Sequence, residues 1–487
     1  MSAALRLPKS LEDALLAVNT STSRRSFLKS SGALVLSCSV SAVPGGRVLA
    51  QAAGEGLYPD PDHLQLDTWI VIHPDNTATF FVGKTDGGQG TGTAFRQMMC
   101  DELDIAYAKT SLIMGSTDTT PDQGGSGGSD AIERDGWPMR RVAAEARRVL
   151  FKLASEHLQI PVEELAVRNA TISAKTDTAK SVTYAELVGG QRFEITLTGN
   201  NINATRGVAD VKPVNELRVV GQPIERYDIP AKVDGSLTWA VDVKLPGMVH
   251  ARNVRPPIAG ATLQSFDESS VADMPGFVRI VSRGNYLAVV CEREEQAINA
   301  ARQFRVDWAP PPEAPFPASD KLFDYMRSVT PTSSRETDSR GDPDSALATA
   351  DLVIETDYEV PFQGHTAIGP AHALADPSGG QMTIYSNDMK SYGLRNGVAN
   401  FLDLPREQVR VVYMDGPQVY GRTAADDVGF EAAFLASELG RPVRLQWMRD
   451  EETAWDTKGP AYTFKLRGGL DSDGKIDRFR KRYGKKK

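Results

Sequence analysis

The chain has 487 residues, 41% of them hydrophobic, and its formal net charge is −8 at pH 7. This length and hydrophobic content predict two to four packed domains, and the acidic balance gives no reason to expect nucleic-acid binding. Only Cys100 and Cys291 lie beyond residue 50, which excludes an iron–sulfur cluster held by four thiolates in that part, and the six histidines show no zinc-binding spacing.

Residues 1–50 are predicted to form a twin-arginine signal peptide. Arg24 and Arg25 lie in the motif SRRSFLK, a short apolar core runs from Gly32 to Val40, and the sequence VLA at 48–50 offers a small-residue cleavage site. The apolar core is far shorter than the roughly 18 residues of a membrane span. The pattern predicts export of a folded protein to the periplasm. The alternatives are a chance Arg-Arg pair in a cytoplasmic protein and a lipid anchor at Cys38.

A glycine-rich loop follows the first β-like run. A strand is predicted at Ala78–Val82, a loop at Gly87–Gly92 and a helix from Thr93 to about Leu103. Glycines let the backbone approach a ligand, and free N–H groups at the positive end of a helix suit a phosphate or pyrophosphate. A plain tight turn is the alternative. Neither of the two common nucleotide-binding glycine templates fits this spacing.

A second glycine cluster occupies residues Pro121–Ser129. Taken alone it is typical of a flexible linker. An amphipathic helix follows it, with one apolar face formed by Val142, Ala146, Val149, Leu150 and Leu153. A second glycine loop leading toward a helix favours a two-sided cradle over a linker.

These segments carry a family resemblance. The run Asp86–Gly90, the acidic pair Asp101-Glu102 near the end of the next helix, the turn Thr119–Asp122 and the loop Gly127–Ser129 resemble a molybdopterin-binding segment of the xanthine dehydrogenase and aldehyde oxidase family. Its early position is similar to the permuted subgroup typified by the large (beta) chain of isoquinoline 1-oxidoreductase. The resemblance implies an α+β, multi-domain molybdenum hydroxylase large-subunit fold with a hammerhead domain and with its C-terminal portion missing.

Composition breaks and the resemblance together predict the domain organisation. The polar stretch 198–211 predicts a linker, and the Pro-rich run after residue 308 breaks the chain again. The hammerhead domain is implied to be scaffolding that supplies little of the site. The expected divisions are 1–50 (signal peptide), 58–197 (N-terminal molybdopterin-binding segment), 216–308 (hammerhead), 309–345 (Pro/Ser-rich linker) and 346–487 (first molybdopterin-binding domain, incomplete).

Two later loops complete the predicted site. Gln363 and His365 lie in a loop where capping of a turn is the plain interpretation; the family uses a Gln in a similar loop to hydrogen-bond an oxygen on the molybdenum, which implies this role for Gln363. The loop Gly416–Arg422 follows a predicted strand, Val409–Tyr413, and resembles the family's glycine-rich cofactor loop, although Gln418, Val419 and Tyr420 replace the usual glycines and Phe.

The resemblance implies hydroxylation of an aldehyde or an N-heterocycle with water as the oxygen source. The cofactor would be molybdenum–molybdopterin, as a dinucleotide. Electrons would leave through a small [2Fe–2S] subunit that carries the iron–sulfur clusters, with a cytochrome c as acceptor. No catalytic residue or metal ligand is assigned. The residues expected to bind the cofactor are Gly88, Gln89, Gly90, Gly127, Gly128, Ser129, Gln363, Tyr420, Gly421 and Arg422.

Within that set, Gln89 and the Gly127–Ser129 backbone are expected to face the pterin phosphate side, and Gln363 and Tyr420-Gly421 to lie nearest the oxygens of the metal. The family continues for a couple of hundred residues that carry the glutamate acting as general base. The basic ending at 480–487 therefore predicts a C-terminally truncated chain. A catalytically inactive remnant or a non-enzymatic scaffold is the alternative function.

Overall fold

The computed structural model describes residues 34–35, 61–188, 195–416, 420–421 and 427–474. The predicted signal peptide lies outside the described residues except for the two-residue strand Leu34–Val35. The chain forms two compact units. The first comprises Met1–Arg255, Asp267–Arg305 and Thr366–Asp456, and the second comprises Pro256–Phe266, Val306–His365 and Thr457–Lys487.

Both units contain helices and strands, with runs of consecutive strands such as those within residues 165–183 and 249–291, which confirms the expected α+β class. The α-helices are α1 (Thr91–Leu103), α2 (Gly136–Leu158), α3 (Tyr184–Val188), α4 (Ile229–Asp234), α5 (Glu294–Gln303), α6 (Leu322–Ser328), α7 (Pro343–Ala348), α8 (Ser391–Leu402), α9 (Val428–Leu439) and α10 (Arg449–Trp455). Among the residues that the structure describes, none of these helices has the length and apolar character needed to cross a bilayer.

The strands are short except for two in the second unit. They are β1 (Leu34–Val35), β2 (Ile70–Ile72), β3 (Ala78–Val82), β4 (Thr110–Met114), β5 (Leu165–Arg168), β6 (Thr171–Ala174), β7 (Ser181–Thr183), β8 (Val249–Asn253), β9 (Thr262–Asp267), β10 (Phe277–Arg283), β11 (Tyr286–Cys291), β12 (Arg305–Ala309), β13 (Leu352–Val360), β14 (His372–Asp376), β15 (Met382–Ser386), β16 (Val409–Tyr413), β17 (Val443–Gln446) and β18 (Tyr462–Leu470).

The first core of unit one forms around a four-stranded sheet in the order β1-β2-β3-β4. Strands β3 and β4 are parallel, with Ala78 opposite Thr110, and helix α1 joins them. Helix α2 packs against α1. The apolar face predicted for α2 is buried at Val142, Ala146, Val149 and Leu150. Burial of this face, rather than intrinsic helix propensity, stabilises such a helix.

The second core of unit one forms around a seven-stranded mixed sheet in the order β10-β11-β8-β17-β14-β15-β16. Strands that precede residue 292 therefore share a sheet with strands that follow residue 371, because β8 pairs in parallel with β17. At the far edge β15 and β16 are parallel. Helices α8 and α9 supply buried apolar residues to the same core, including Leu394, Val398 and Phe434.

Buried carboxylates on helices α1 and α2 accept hydrogen bonds from the end of the stretch predicted as a linker. Glu145 accepts hydrogen bonds from the N–H groups of Val208 (3.0 Å) and Ala209 (2.9 Å). Glu102 accepts one from the Lys212 N–H (3.0 Å). The C-terminal end of the predicted linker and the residue that follows it are therefore fixed to helices α2 and α1, contacts that composition alone does not reveal. The division into domains at this stretch stays a prediction.

The second unit contains two strand pairs, β9 with β12 and the antiparallel pair β13 with β18. In the longer pair Val360 lies opposite Tyr462 and Leu352 opposite Leu470. Apolar and charged residues alternate along β13, so apolar side chains share one face of the ribbon and charged ones the other.

Candidate functional site

Four loops of the first unit meet where the parallel strands β3, β4, β15 and β16 end. The described parts of these loops span residues 83–90, 115–130, 387–390, 414–416 and 420–421. Gly115 N–H donates to the Val82 carbonyl (2.9 Å), and Met414 N–H donates to the Ser386 carbonyl (3.0 Å), so each parallel pair keeps its loops adjacent. Ligand sites of open α/β sheets commonly lie at the carboxyl ends of strands. This edge is therefore the candidate site.

The first loop is closed by its own aspartate. The Asp86 carboxylate accepts hydrogen bonds from the N–H groups of Gly88 (2.9 Å), Gly90 (3.0 Å) and Gly92 (3.0 Å). The expectation that these amides are free to hold a phosphate is therefore wrong. Gln89 lies at the exposed tip of the loop. Helix α1 begins at Thr91, two residues earlier than predicted.

Buried polar contacts join the first and second loops. Lys84 Nζ lies 2.6 Å from Asp135 Oδ2, with both side chains buried, and also donates to the Gly125 carbonyl (2.8 Å). The Thr85 N–H donates to Ser126 Oγ (2.8 Å). The two glycine clusters are thus held side by side, as the cradle hypothesis requires, and the second cluster is not a free linker.

Beyond Ser126 the second loop turns outward. Gly127, Gly128 and Ser129 are all exposed. A Cβ placed on Gly127 would meet nothing within 4 Å, and Gly128 and Ser129 have φ values of +69° and +60°. Within the described residues, this exposed stretch leaves the backbone accessible to a ligand, because glycine lets the main chain approach it closely. It is the part of the two loops with open space for a phosphate-bearing cofactor.

The third loop contributes a carboxyl group that sequence reasoning missed. Asp388 follows β15 directly, its side chain accepts a hydrogen bond from the Lys390 N–H, and burial raises its pKa to about 7. The adjacent Met389 carbonyl accepts from the Ser126 N–H (2.7 Å), which ties this loop to the second. In the sequence, the only indication of Asp388 is that an acidic residue lies between a strand and a helix.

The fourth loop follows a half-buried tyrosine at the end of β16 and carries two of the predicted residues. The Tyr413 hydroxyl donates to the Asp86 carbonyl, which places this loop beside the first. Tyr420 is 59% exposed with φ of 45°, and Gly421 has φ of 94°. Arg422 lies outside the described residues. The structure thus brings the first and second predicted loops and the start of the fourth to one edge of the first unit; the proximity of Tyr420 and Gly421 to them stays a prediction.

A segment expected to be scaffolding supports the first loop. Arg226 donates to the Gly88 carbonyl (2.8 Å) and forms an ion pair with Asp228 (2.6 Å). Lys232 bridges Asp228 (2.6 Å) and Asp415 (2.9 Å). Although burial opposes it, Arg226 and Lys232 lower the pKa of Asp228 to about 2, whereas burial raises the pKa of Asp415. These charged residues fix the first loop against the start of the fourth.

Gln363 lies in the second compact unit. Its N–H donates to the Gly459 carbonyl (3.2 Å), and its own carbonyl accepts from the Gly459 N–H (2.8 Å). Its expected proximity to the other loops stays a prediction. Across the described residues no group of three or more His, Cys, Asp or Glu side chains is arranged to hold a metal ion.

Comparison with known proteins points to one family. Residues 48–215 and 327–483 each match a molybdopterin cofactor-binding domain. The chain is 32% identical to the B chain of nicotinate dehydrogenase from Pseudomonas putida, over 93% of its own length and 37% of that protein. It is 23% identical to the beta chain of isoquinoline 1-oxidoreductase from Brevundimonas diminuta, over 88% of its own length and 60% of that protein.

A solved structure is similar over part of the chain. Quinoline 2-oxidoreductase from Pseudomonas putida 86 matches with a TM-score of 0.46 and 18% identity, covering 53% of this chain and 38% of that one. The chain spans between 37% and 60% of the length of the two curated relatives given above.

Proposed function

Because the chain belongs to the molybdopterin-binding large subunits of the xanthine dehydrogenase and aldehyde oxidase family, we propose that it forms the cofactor-binding part of an exported hydroxylase. The proposed substrates are aldehydes or N-heterocycles, since the relatives are named for nicotinate, isoquinoline and aldehydes. Support comes above all from the open Gly127–Ser129 backbone within a region that matches a molybdopterin cofactor-binding domain.

In this proposal the chain binds and orients the cofactor. When bound, the molybdenum cofactor supplies the oxygen-transfer and two-electron chemistry. The Gly127–Ser129 backbone would hold its phosphate side, and Tyr420 and Gly421 would contact the part nearest the metal. Gln363 would supply a hydrogen-bond donor to the group. A dinucleotide form of the cofactor, which the family resemblance implies, is part of the proposal.

The cofactor assignment is tested with two glycine variants in a host that makes the cofactor. Gly127→Val fills space that is open in the chain alone, so it should leave the melting temperature unchanged and reduce the bound molybdenum and pterin per chain at least tenfold. The control is Gly468→Val, because a Cβ there also meets nothing within 4 Å and the residue lies in β18. Metal is measured by mass spectrometry and pterin by fluorescence after oxidation.

Two results would contradict the assignment. Absence of molybdopterin from the wild-type chain favours the alternative of a catalytically inactive or scaffolding protein. Full retention of the cofactor by Gly127→Val would show that the second loop does not contact it.

Electron transfer is proposed to require a small [2Fe–2S] subunit, with a cytochrome c as acceptor. Burial raises the pKa of the Cys100 and Cys291 thiols to about 11, so neither is a ready thiolate ligand. The purified chain should contain no stoichiometric iron or acid-labile sulfide; finding both would refute the proposal.

Periplasmic export by the twin-arginine route remains a proposal from the sequence. Replacing Arg24 and Arg25 by lysine should retain the folded protein in the cytoplasm, as measured by fractionation and immunoblotting. Unchanged export of this double variant would show that the motif is a chance pair.

A further inference from the structure

The glycine loop before helix α1 already holds a negative group, supplied by the chain itself. Three alternate N–H groups, those of Gly88, Gly90 and Gly92, point at the two carboxylate oxygens of Asp86 at 2.9–3.0 Å. Gly88 and Gly90 have φ values of +110° and +83°, which turn their amides inward. Loops of this shape at a helix N-terminus bind anions, and here a side-chain carboxylate occupies the anion position.

Neighbouring residues fix the loop from outside. Arg226 donates to the Gly88 carbonyl and packs against Gly90, where an added Cβ would lie 3.2 Å from its side chain. The Tyr413 hydroxyl donates to the Asp86 carbonyl. A Cβ on Gly92 would lie 2.7 Å from the Tyr227 hydroxyl oxygen. The loop therefore has little freedom to release the carboxylate and take a different anion.

We propose that Asp86 is a positioning residue that fills the anion position of the first glycine loop, so that the cofactor's phosphate is held by the Gly127–Ser129 loop alone. This inference rests on the proposed function. A phosphate at the first loop would have to displace the carboxylate or lie beside it, and two like charges in contact repel each other. The first loop then presents the neutral Gln89 side chain at its tip.

The second loop differs in this respect. Its aspartate, Asp122, accepts a hydrogen bond from the Gly124 N–H (2.9 Å). Gly127, Gly128 and Ser129 lie further along and are exposed. Asp122 is therefore a matched control: it is an aspartate at the start of a glycine loop that bonds one amide, whereas Asp86 bonds three.

The test is chemical rescue of Asp86→Ala by formate, a carboxylate small enough for the vacated position. In the full-length chain without cofactor, sodium formate should raise the melting temperature of Asp86→Ala in a saturable way, relative to sodium chloride at equal ionic strength. Wild type and Asp122→Ala should show no saturable response. No response of Asp86→Ala, or an equal response of wild type, would overturn the inference.

A second variant keeps the test decisive if Asp86→Ala does not fold. Asp86→Asn keeps an oxygen for two amides but fills the position with a neutral group, so it should melt below wild type and be insensitive to formate. A wild-type melting temperature together with wild-type cofactor retention would show that the negative charge is unnecessary, which would overturn the inference.

Cofactor content gives an independent arm. When cofactor is loaded, Asp86→Ala should retain at least tenfold less molybdopterin than wild type, and formate present during loading should restore it. The melting experiment needs no cofactor, so the two proposals can fail separately. If the wild-type chain binds no molybdopterin, the proposed function is refuted, but formate rescue of the melting temperature still tests the role of Asp86. Inorganic phosphate that stabilises wild type but not Asp86→Ala would contradict the positioning role.

Discussion

Asp388 should make the first unit less stable as the pH rises. Most paired carboxylates have the opposite effect, because their pKa is lowered in the folded state. The side chain is only 8% exposed, and burial raises its pKa to about 7. The Lys390 N–H donates to it, which favours the charged form without offsetting the loss of solvation. The perturbation is Asp388→Asn, which keeps an oxygen acceptor for the Lys390 N–H and removes the titration.

The magnitude follows from proton linkage. An aspartate in the unfolded chain has a pKa of about 3.9, so between roughly pH 4 and pH 7 the folded state holds a proton that the unfolded state has lost. The contribution of Asp388 to the free energy of unfolding therefore falls as the pH rises through this window and is constant above it. A difference of about 3 pKa units corresponds to roughly 4 kcal/mol. Asp388→Asn should match wild type near pH 4 and exceed it by up to about that amount at pH 8.

The assay is urea unfolding followed by tryptophan fluorescence at pH 4.5, 6 and 8. The matched control is Asp376→Asn: Asp376 is the last residue of β14 in the same sheet and accepts from the Ser378 N–H (3.0 Å), but its side chain is only half-buried. The control should show the wild-type pH dependence. Parallel curves for wild type and Asp388→Asn across all three pH values would refute the reasoning.

Two further predictions concern how the glycine loops are held. Lys84→Met should lower the free energy of unfolding by about 3 kcal/mol, because it removes the buried partner of Asp135 and leaves that carboxylate with only the solvent-exposed Arg134 (3.0 Å). Lys84→Met with Asp135→Leu should recover most of this loss in the same urea assay, and no recovery would contradict the ion-pair argument. Gly83→Ala should lower the free energy of unfolding by roughly 3 kcal/mol or more, because its Cβ would lie 1.7 Å from the Pro121 carbonyl oxygen. Gly127→Ala is the control: its Cβ would lie in open space, so it should change the free energy of unfolding by less than about 0.5 kcal/mol. Equal effects of the two variants would contradict the close packing of Gly83 against Pro121.

Local sequence patterns predicted the elements around the site well. The strands at Ala78–Val82 and Val409–Tyr413 and the helix ending at Leu103 lie where they were expected. Each is specified by neighbouring residues: β-branched or aromatic residues in a run, and helical spacing after a glycine loop. The family assignment succeeded for a related reason, since glycine loops require particular residues at particular positions.

Features that depend on contacts distant in sequence were not predictable in this way. Strand β8 pairs with β17 across nearly two hundred residues of chain, so a boundary drawn from composition could not reveal their common sheet. The burial of Asp388 and the support of the first loop by Arg226 are likewise results of tertiary packing. Neither residue belongs to a repeating pattern, and a carboxyl group's pKa depends on which side chains surround it.

The two glycine loops show why composition alone could not assign their roles. Aspartate readily bonds backbone N–H groups a few residues along the chain, so both loops contain an internal competitor for any anion. In the first loop the glycines alternate with other residues from Gly88 to Gly92, and all three amides reach Asp86. In the second, Asp122 bonds Gly124, and the chain turns away before Gly127. The proposed cofactor site uses both kinds of loop at one sheet edge. The first loop, held by Asp86, is rigid and positions its neighbours, and the open second loop binds the phosphate of the cofactor.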